Sequence, residues 1–119
     1  MAATLPKAER LAGRTAVATL LGKGRWEHSA SLRCCYLPAN GLEFNRLMVS
    51  VPKRHFKRAV KRNLLKRRMR EAYRLQKDLL PATPEGGFDV LFVFNAAEVA
   101  PFGTICSEMA DLLRKIAAK

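Results

Sequence analysis

From Arg58 to Leu80 the chain contains neither glycine nor proline, and a cation recurs at every fourth position. Leu, Lys, Arg, Met, Glu, Ala and Gln are good helix formers. At about 100° per residue, Arg58, Arg62, Lys66, Arg70 and Arg74 form an i, i+4 ladder, flanked by Asn63, Arg67 and Lys77. Leu65, Met69, Ala72 and Gln76 fall along another stripe, edged by Val60, Leu64 and Tyr73. The spacing therefore predicts a helix with one cationic arc and one arc that packs. The fold must supply a core for the second and leave the first exposed.

The charge is concentrated in this stretch. Lys53 to Lys77 holds 12 of the 22 Lys and Arg residues and one acid, Glu71, while the other residues carry 10 basic and 9 acidic side chains. The chain is a nearly neutral domain bearing one cationic element. Like charges at i, i+4 oppose an isolated helix by about 0.2–0.5 kcal/mol per pair, and Glu71 offsets a little of this through Arg67 or Arg74. A polyanion lying along the helix relieves the repulsion and releases counterions. A solvated face or an anionic membrane surface is the alternative reading. The uniform sign of the arc favours nucleic acid over both.

At 119 residues the chain fits a single domain spanning 1–119, with residues 1–7 expected as a loose tail, and its 49% apolar content suffices for one core. No apolar run reaches the roughly 18 residues of a membrane span. The segment MAATLPKAER lacks the apolar core of a secretory signal, so a cytoplasmic protein is expected. Cys34, Cys35 and Cys106 form no CxxC pair and read as reduced core residues. His28 and His55 have no ligand-spaced partners; His55, among cations, is placed to touch phosphate. The acids are scattered, with no cluster suited to two-metal chemistry. No glycine-rich phosphate loop or nucleophile elbow occurs. No catalytic residue, no metal motif and no obligate protein partner is expected.

In chain order, Ala8 to Leu21 reads as a first helix weakened at Gly13, stopped by Gly22-Lys23-Gly24. Trp26 to Leu37 alternates as one half-buried strand, with Trp26, His28, Ala30, Leu32, Cys34 and Tyr36 on one side. A turn at Pro38-Ala39-Asn40-Gly41 leads to a strand over Phe44 to Val51, and a hairpin between the two is expected. Pro52 ends it and the basic helix follows. After the loop PATPEGG, Phe88 to Phe94 reads as a central strand. Thr104 to Ala118 reads as a last helix, with Ile105, Met109, Leu112, Leu113 and Ile116 as its apolar face. The expected fold class is α+β, a single-domain α/β sandwich in the order α-β-β-α-β-α.

Specific residues add a resemblance. Arg62-Asn63-Leu64-Leu65-Lys66-Arg67-Arg68-Met69-Arg70-Glu71-Ala72-Tyr73-Arg74 resembles the RNxxKRxxREAFR signature of the bacterial ribonuclease P protein subunit. Ala59-Val60 before Arg62-Asn63 resembles that family's AVxRN, and Ser50-Val51-Pro52-Lys53-Arg54 its SVSKK, with Pro52 in place of the second Ser. The match includes non-basic positions, Asn63, Glu71 and Ala72, that composition alone does not select. Upstream, Arg10-Leu11 and Val17, Leu20, Leu21 and Gly24 are similar to the family's RL…DFxxVFxxG, with Ala16-Val17 replacing Asp-Phe and Leu21 replacing the second Phe. The link His55-Phe56-Lys57-Arg58 is longer than the family's and lacks its glycine.

The resemblance implies a left-handed β-α-β crossover through the basic helix, against the usual right-handed rule. It implies a ribonucleoprotein that matures the 5′ end of tRNA, with catalysis by the RNA subunit and Mg²⁺. The implied partners are the ribonuclease P catalytic RNA and precursor tRNA. Arg62, Lys66, Arg67, Arg70 and Arg74 would hold phosphates of the catalytic RNA, with Lys53, Arg54, Arg58 and Lys61 extending that surface. Asn63 would hydrogen-bond a 2′-OH or a base edge. The family's cleft for the 5′ leader would correspond to Val17, Leu21 and the sheet near Cys35 and Tyr36. A stacked base is worth about 1–3 kcal/mol, and Val17 and Leu21 offer apolar contact without a ring. A general RNA-binding or ribosome-associated protein of similar fold is the other reading. It explains the charge but not the placement of Asn63, Glu71, Ala72 and Tyr73.

Overall fold

A computed structural model describes residues 6–118. The order is α1 (Arg14–Lys23), β1 (Arg25–His28), β2 (Leu32–Leu37), β3 (Arg46–Ser50), α2 (Ala59–Gln76), β4 (Asp89–Phe94) and α3 (Phe102–Ala117), with short 3-10 turns at Lys7–Glu9 and Lys77–Leu79. The tail expected over residues 1–7 lies outside the described residues except for Pro6 and Lys7. Lys7 opens the first 3-10 turn.

One four-stranded sheet runs β1-β2-β4-β3. β1 and β2 are antiparallel, as are β2 and β4, whereas β3 and β4 are parallel and joined through α2. The expected hairpin between β2 and β3 does not form, because β4 lies between them. The reason is burial. DVLFVF is apolar on both faces and buried along nearly its whole length, so it needs a strand on each side and a cover on each face. β3 alternates buried and half-buried residues, which suits an edge.

The single strand expected over Trp26 to Leu37 is two strands, giving one strand more than the expected order. The break at Ser29-Ala30-Ser31 is held from α3. The Glu108 carboxylate accepts hydrogen bonds from the Ser29 hydroxyl and, at 2.7 Å, from the Ser31 N–H. The turn also reverses side-chain parity. Trp26 pairs with Cys35 and His28 with Arg33, so both lie on the face opposite Leu32, Cys34 and Tyr36.

The core has two parts on the two sides of the sheet. The larger joins Leu32, Cys34, Tyr36, Val90, Phe92 and Phe94 to Leu65, Met69, Ala72 and Tyr73 of α2 and to the apolar face of α3. All five expected apolar residues of α3 are buried there. The smaller packs Leu11 and Leu20, with Ala16 and Val17, on Cys35 and Leu91. The first helix begins at Arg14 rather than Ala8, since Gly13 before it has φ 98°, a backbone that breaks a helix. Gly24 after it allows α1 to approach the sheet. A Cβ there would stand 2.5 Å from the Leu20 carbonyl oxygen and 2.6 Å from Cys35 Sγ.

Cys34 and Cys35 are buried free thiols, and burial pushes Cys34 up to about 12, so it stays protonated. At the far end of the sheet, Asp89 accepts a two-point contact from Arg46 at 2.8 and 2.7 Å and a hydrogen bond from Asn40. Those bonds tie the first residues of β3 and β4 together and pin their parallel register.

Candidate nucleic-acid interface

The basic helix α2 forms where its periodicity places it, with Leu65, Met69, Ala72 and Tyr73 buried. Burial pushes the Tyr73 phenol up to about 12, against a hydrogen bond with Asn45, so Tyr73 is a neutral packing residue. The opposite arc stands in solvent. Asn63, Arg67 and Arg70 on it are exposed and Lys66 is half-buried; Arg58, just before the helix, and Lys61, in its first turn beside the Glu98–Val99 loop, are exposed as well. Among the described residues, none of these six side chains makes a hydrogen bond or ion pair. They are six donors with nothing to donate to.

Other cations of the same stretch are already engaged. Arg62 Nη1 donates to the carbonyls of Phe56 and Lys57 at 2.7 and 2.8 Å, so it braces the link that leads into α2. Arg68 Nη1 donates to the Ala100 carbonyl, tying α2 to the segment before α3. Arg74 forms a two-point ion pair with Glu71, which holds the Glu71 carboxyl below its usual value. Lys77 bonds Glu9 across to the N-terminal 3-10 turn. Arg62 and Arg74, expected as phosphate ligands, thus have part of their donor set turned inward. Of the two partners expected for Glu71, Arg74 is the one it takes.

The long link is rebuilt around an aromatic. Phe56 is buried against Phe94, ring centroids 5.8 Å apart, and His55 meets its edge. Phe56 thus anchors the link that lacks a glycine. Beside it lies an open groove of about 420 Å³ lined by His55, Lys57, Arg58, Lys61 and the Glu98–Val99 loop. Arg54 reaches over the sheet end to the Asn95 side chain at 3.2 Å, and Lys53 beside it is exposed.

A second surface lies on the face of the sheet that carries α1. Register places His28, Arg33, Val93 and Ser50 in one row across all four strands. The neighbouring row is Trp26, Cys35, Leu91 and Met48. Helix α1 buries Cys35 and Leu91 and leaves the first row partly open. Val17 packs at the edge of this cover, and Leu21 is 49% exposed beyond it. Tyr36 does not belong here. It is 3% exposed and faces the α2–α3 core, because its parity in β2 is opposite to that of Cys35. What stands on this face instead is Trp26, 42% exposed, with the Arg33 guanidinium 4.6 Å from its ring centroid. Reading Trp26 to Leu37 as one strand concealed this pair. Two serines in three residues at 29–31 were the available signal for a turn.

The comparisons with known proteins converge. The family model described as Ribonuclease P matches residues 5–117. The chain belongs to the ribonuclease P protein family. The ribonuclease P protein component of Porphyromonas gingivalis strain W83 is 44% identical over 118 residues, covering 95% of this chain and 86% of the relative. The solved ribonuclease P protein of Thermotoga maritima superposes with TM-score 0.76 at 26% identity, covering 90% of this chain and 96% of that one. The Staphylococcus aureus ribonuclease P protein, 23% identical, has the same fold, with TM-score 0.76 over 93% of this chain and 96% of its own.

Proposed function

We propose that this chain is the protein subunit of ribonuclease P, assisting the endonucleolytic maturation of tRNA 5′ ends in the cytoplasm. Family membership supports a role in tRNA 5′ processing. The observation that carries the finer reading is the set of uncommitted cations on α2 and just before it. Arg58, Lys61, Lys66, Arg67 and Arg70 would take phosphates of the catalytic RNA, with Lys53 and Arg54 extending the track and Asn63 reading a 2′-OH or base edge. Arg62 and Arg74 would offer their remaining N–H groups while holding the helix ends in shape. The open row on the α1 face, bordered by Val17 and Leu21, would take the 5′ leader of precursor tRNA.

Cleavage in this proposal belongs to the RNA subunit. No group of three or more His, Cys, Asp or Glu side chains among the described residues is placed to hold a metal ion. In this proposal the Mg²⁺ that acts with the RNA would be held by the RNA. The protein supplies positive charge that lets two polyanions approach, and a surface on which the leader is held. No helix of the described residues is long and apolar enough to cross a membrane.

Reconstitution tests this. The pure chain is mixed with a bacterial ribonuclease P RNA and precursor tRNA at low Mg²⁺. Restored 5′ cleavage is expected. RNA binding with no change in cleavage rate would replace this reading with a general RNA-binding protein.

A further inference from the structure

The groove before α2 is held open by its own bonds. One wall is the link from His55 to Arg58, the other the connector from Ala97 to Val99. Two arginines of α2 clamp these walls. Arg62 Nη1 donates to the Phe56 and Lys57 carbonyls at 2.7 and 2.8 Å, and Arg68 Nη1 donates to the Ala100 carbonyl at 2.6 Å, just past Val99. Phe56 is buried against Phe94 and fixes the link from within. A site whose walls are already ordered loses little freedom when a ligand enters. Its volume of about 420 Å³ falls within the roughly 300–1,000 Å³ of small-ligand sites.

The lining is of three kinds. Lys57, Arg58 and Lys61 are exposed cations whose side chains make no hydrogen bond or ion pair among the described residues. His55 is exposed and meets Phe56 edge to face, and Val99 is 37% exposed. Glu98 is the one acid of the lining, and it too takes no partner among the described residues, although three cations share the groove.

Phosphate binding alone does not explain this set. A carboxylate repels phosphate, so a track serving only the RNA backbone is better without Glu98. A base edge does explain it. An ionised carboxylate only accepts hydrogen bonds, through two oxygens side by side. Guanine presents two adjacent donors, N1–H and N2–H, on its Watson–Crick edge. Adenine and cytosine set one amino group beside a ring acceptor, and uracil sets one N–H between two carbonyls, so each turns an acceptor towards the carboxylate. A paired guanine has this edge occupied, and the nucleotide must therefore be unpaired. Imidazole rings are surfaces on which such splayed bases stack.

We propose that this groove holds one unpaired guanosine of the bound RNA. Glu98 accepts from guanine N1–H and N2–H, His55 and Val99 take the flat of the base, and Lys57 with Arg58 or Lys61 takes its phosphate. Only the identity of that RNA as the catalytic RNA rests on the ribonuclease P reading. His55 and Lys57 lie on the link that is longer than the family's pattern, so this contact adds base identity to a surface otherwise concerned with phosphates.

The four nucleoside 5′-monophosphates are titrated in turn into the isotope-labelled chain, with the amide shifts of His55, Lys61 and Val99 as the readout. GMP should bind at least about fivefold more tightly than AMP, CMP or UMP, the low end for a two-point contact to a base. Glu98→Gln, which sets an amide donor against a guanine donor, should abolish the preference and leave binding common to all four. Lys57→Ala should weaken all four alike and keep the preference. The catalytic RNA then gives a test of sign. Removing a bystander acid from a cationic groove leaves RNA affinity unchanged or raises it, whereas the guanosine site requires Glu98→Gln to lower it, by about fivefold. Equal binding of the four mononucleotides, or RNA affinity that does not fall in Glu98→Gln, overturns the site and leaves the ribonuclease P reading standing. A guanine preference and a fall in RNA affinity, in a chain that gives no stimulation of 5′ cleavage, would keep the site and remove the ribonuclease P reading.

Discussion

The two surfaces of this molecule attract RNA by different physics. The exposed arc of α2 carries Lys66, Arg67 and Arg70, long cations with no partners among the described residues. The α1 face of the sheet carries few charges and presents the Trp26 ring with the Arg33 guanidinium over it. The first adapts to any phosphate path and weakens as salt screens it. The second presents a surface fixed by strand register, and its stacking contribution is largely indifferent to salt. A helix is suited to the first task because 3.6-residue periodicity lines up charges while the other arc packs. A sheet is suited to the second because neighbouring strands place side chains in rows at fixed spacing. Each surface also has its own mount: Met69 and its neighbours beneath α2, and Glu108 beneath the β1–β2 turn.

The largest effect should come from the mount of α2. Met69 is fully buried between helix and sheet. Met69→Ala should cost about 2–5 kcal/mol and lower the thermal midpoint by many degrees. Both surfaces should fail together, since a small single domain unfolds as one cooperative unit. A variant that loses RNA binding by α2 yet keeps its full midpoint would show that the helix is not anchored there.

Arg67→Ala combined with Arg70→Ala separates the surfaces. Neither side chain bonds to any described residue, so stability should stay within about 0.5 kcal/mol. The slope of log affinity for the catalytic RNA against log salt should fall by about two contacts, roughly 1.4–1.8. Quenching of Trp26 by a short single strand should be nearly unchanged. An unaltered slope would remove these two arginines from the interface.

The smallest effect concerns the mount of the sheet surface. Burial alone would raise the Glu108 carboxyl, but hydrogen bonds from Ser29 and Ser31 outweigh it, and its folded value lies below the usual one. The stabilisation is therefore present above the ordinary glutamate value, about 4.3, and is lost as pH falls through the depressed folded value. Glu108→Gln should cost about 1 kcal/mol, allowing for partial exposure, and should flatten the acid side of the stability curve. Hydrogen exchange at Ser31 and Leu32 should rise in this variant while the amides of α2 stay protected. Equal exchange in both regions would mean the turn is not held by Glu108.

Much of the cationic surface was legible along the chain, because its cause is local. Residues three and four apart on a helix are neighbours whatever the rest of the fold does. The arc of α2, the stripe Leu65, Met69 and Ala72, and the apolar face of α3 could therefore be read directly. The signature from Arg62 to Arg74 pointed to the family for the same reason. Which arginines are spare was not legible. Arg62, Arg68 and Arg74 look like Arg67 and Arg70 in sequence, and only the positions of the Phe56, Lys57 and Ala100 carbonyls and of the Glu71 carboxylate divide them.

The sheet surface was mostly hidden. Strand neighbours are chosen by which pairing buries the most apolar area, and that depends on segments far apart in the chain. Sequence adjacency suggested β2 beside β3; the two-sided apolar run of β4 took the place between them. A three-residue turn at Ser29–Ser31, secured by Glu108 from the last helix, moved Trp26 to the face opposite Tyr36. The sequence by itself determined a cationic helix, a central apolar strand and the family. Tertiary structure decided the strand order, the face each aromatic occupies and the arginines left free, because those follow from long-range pairing that no local period encodes.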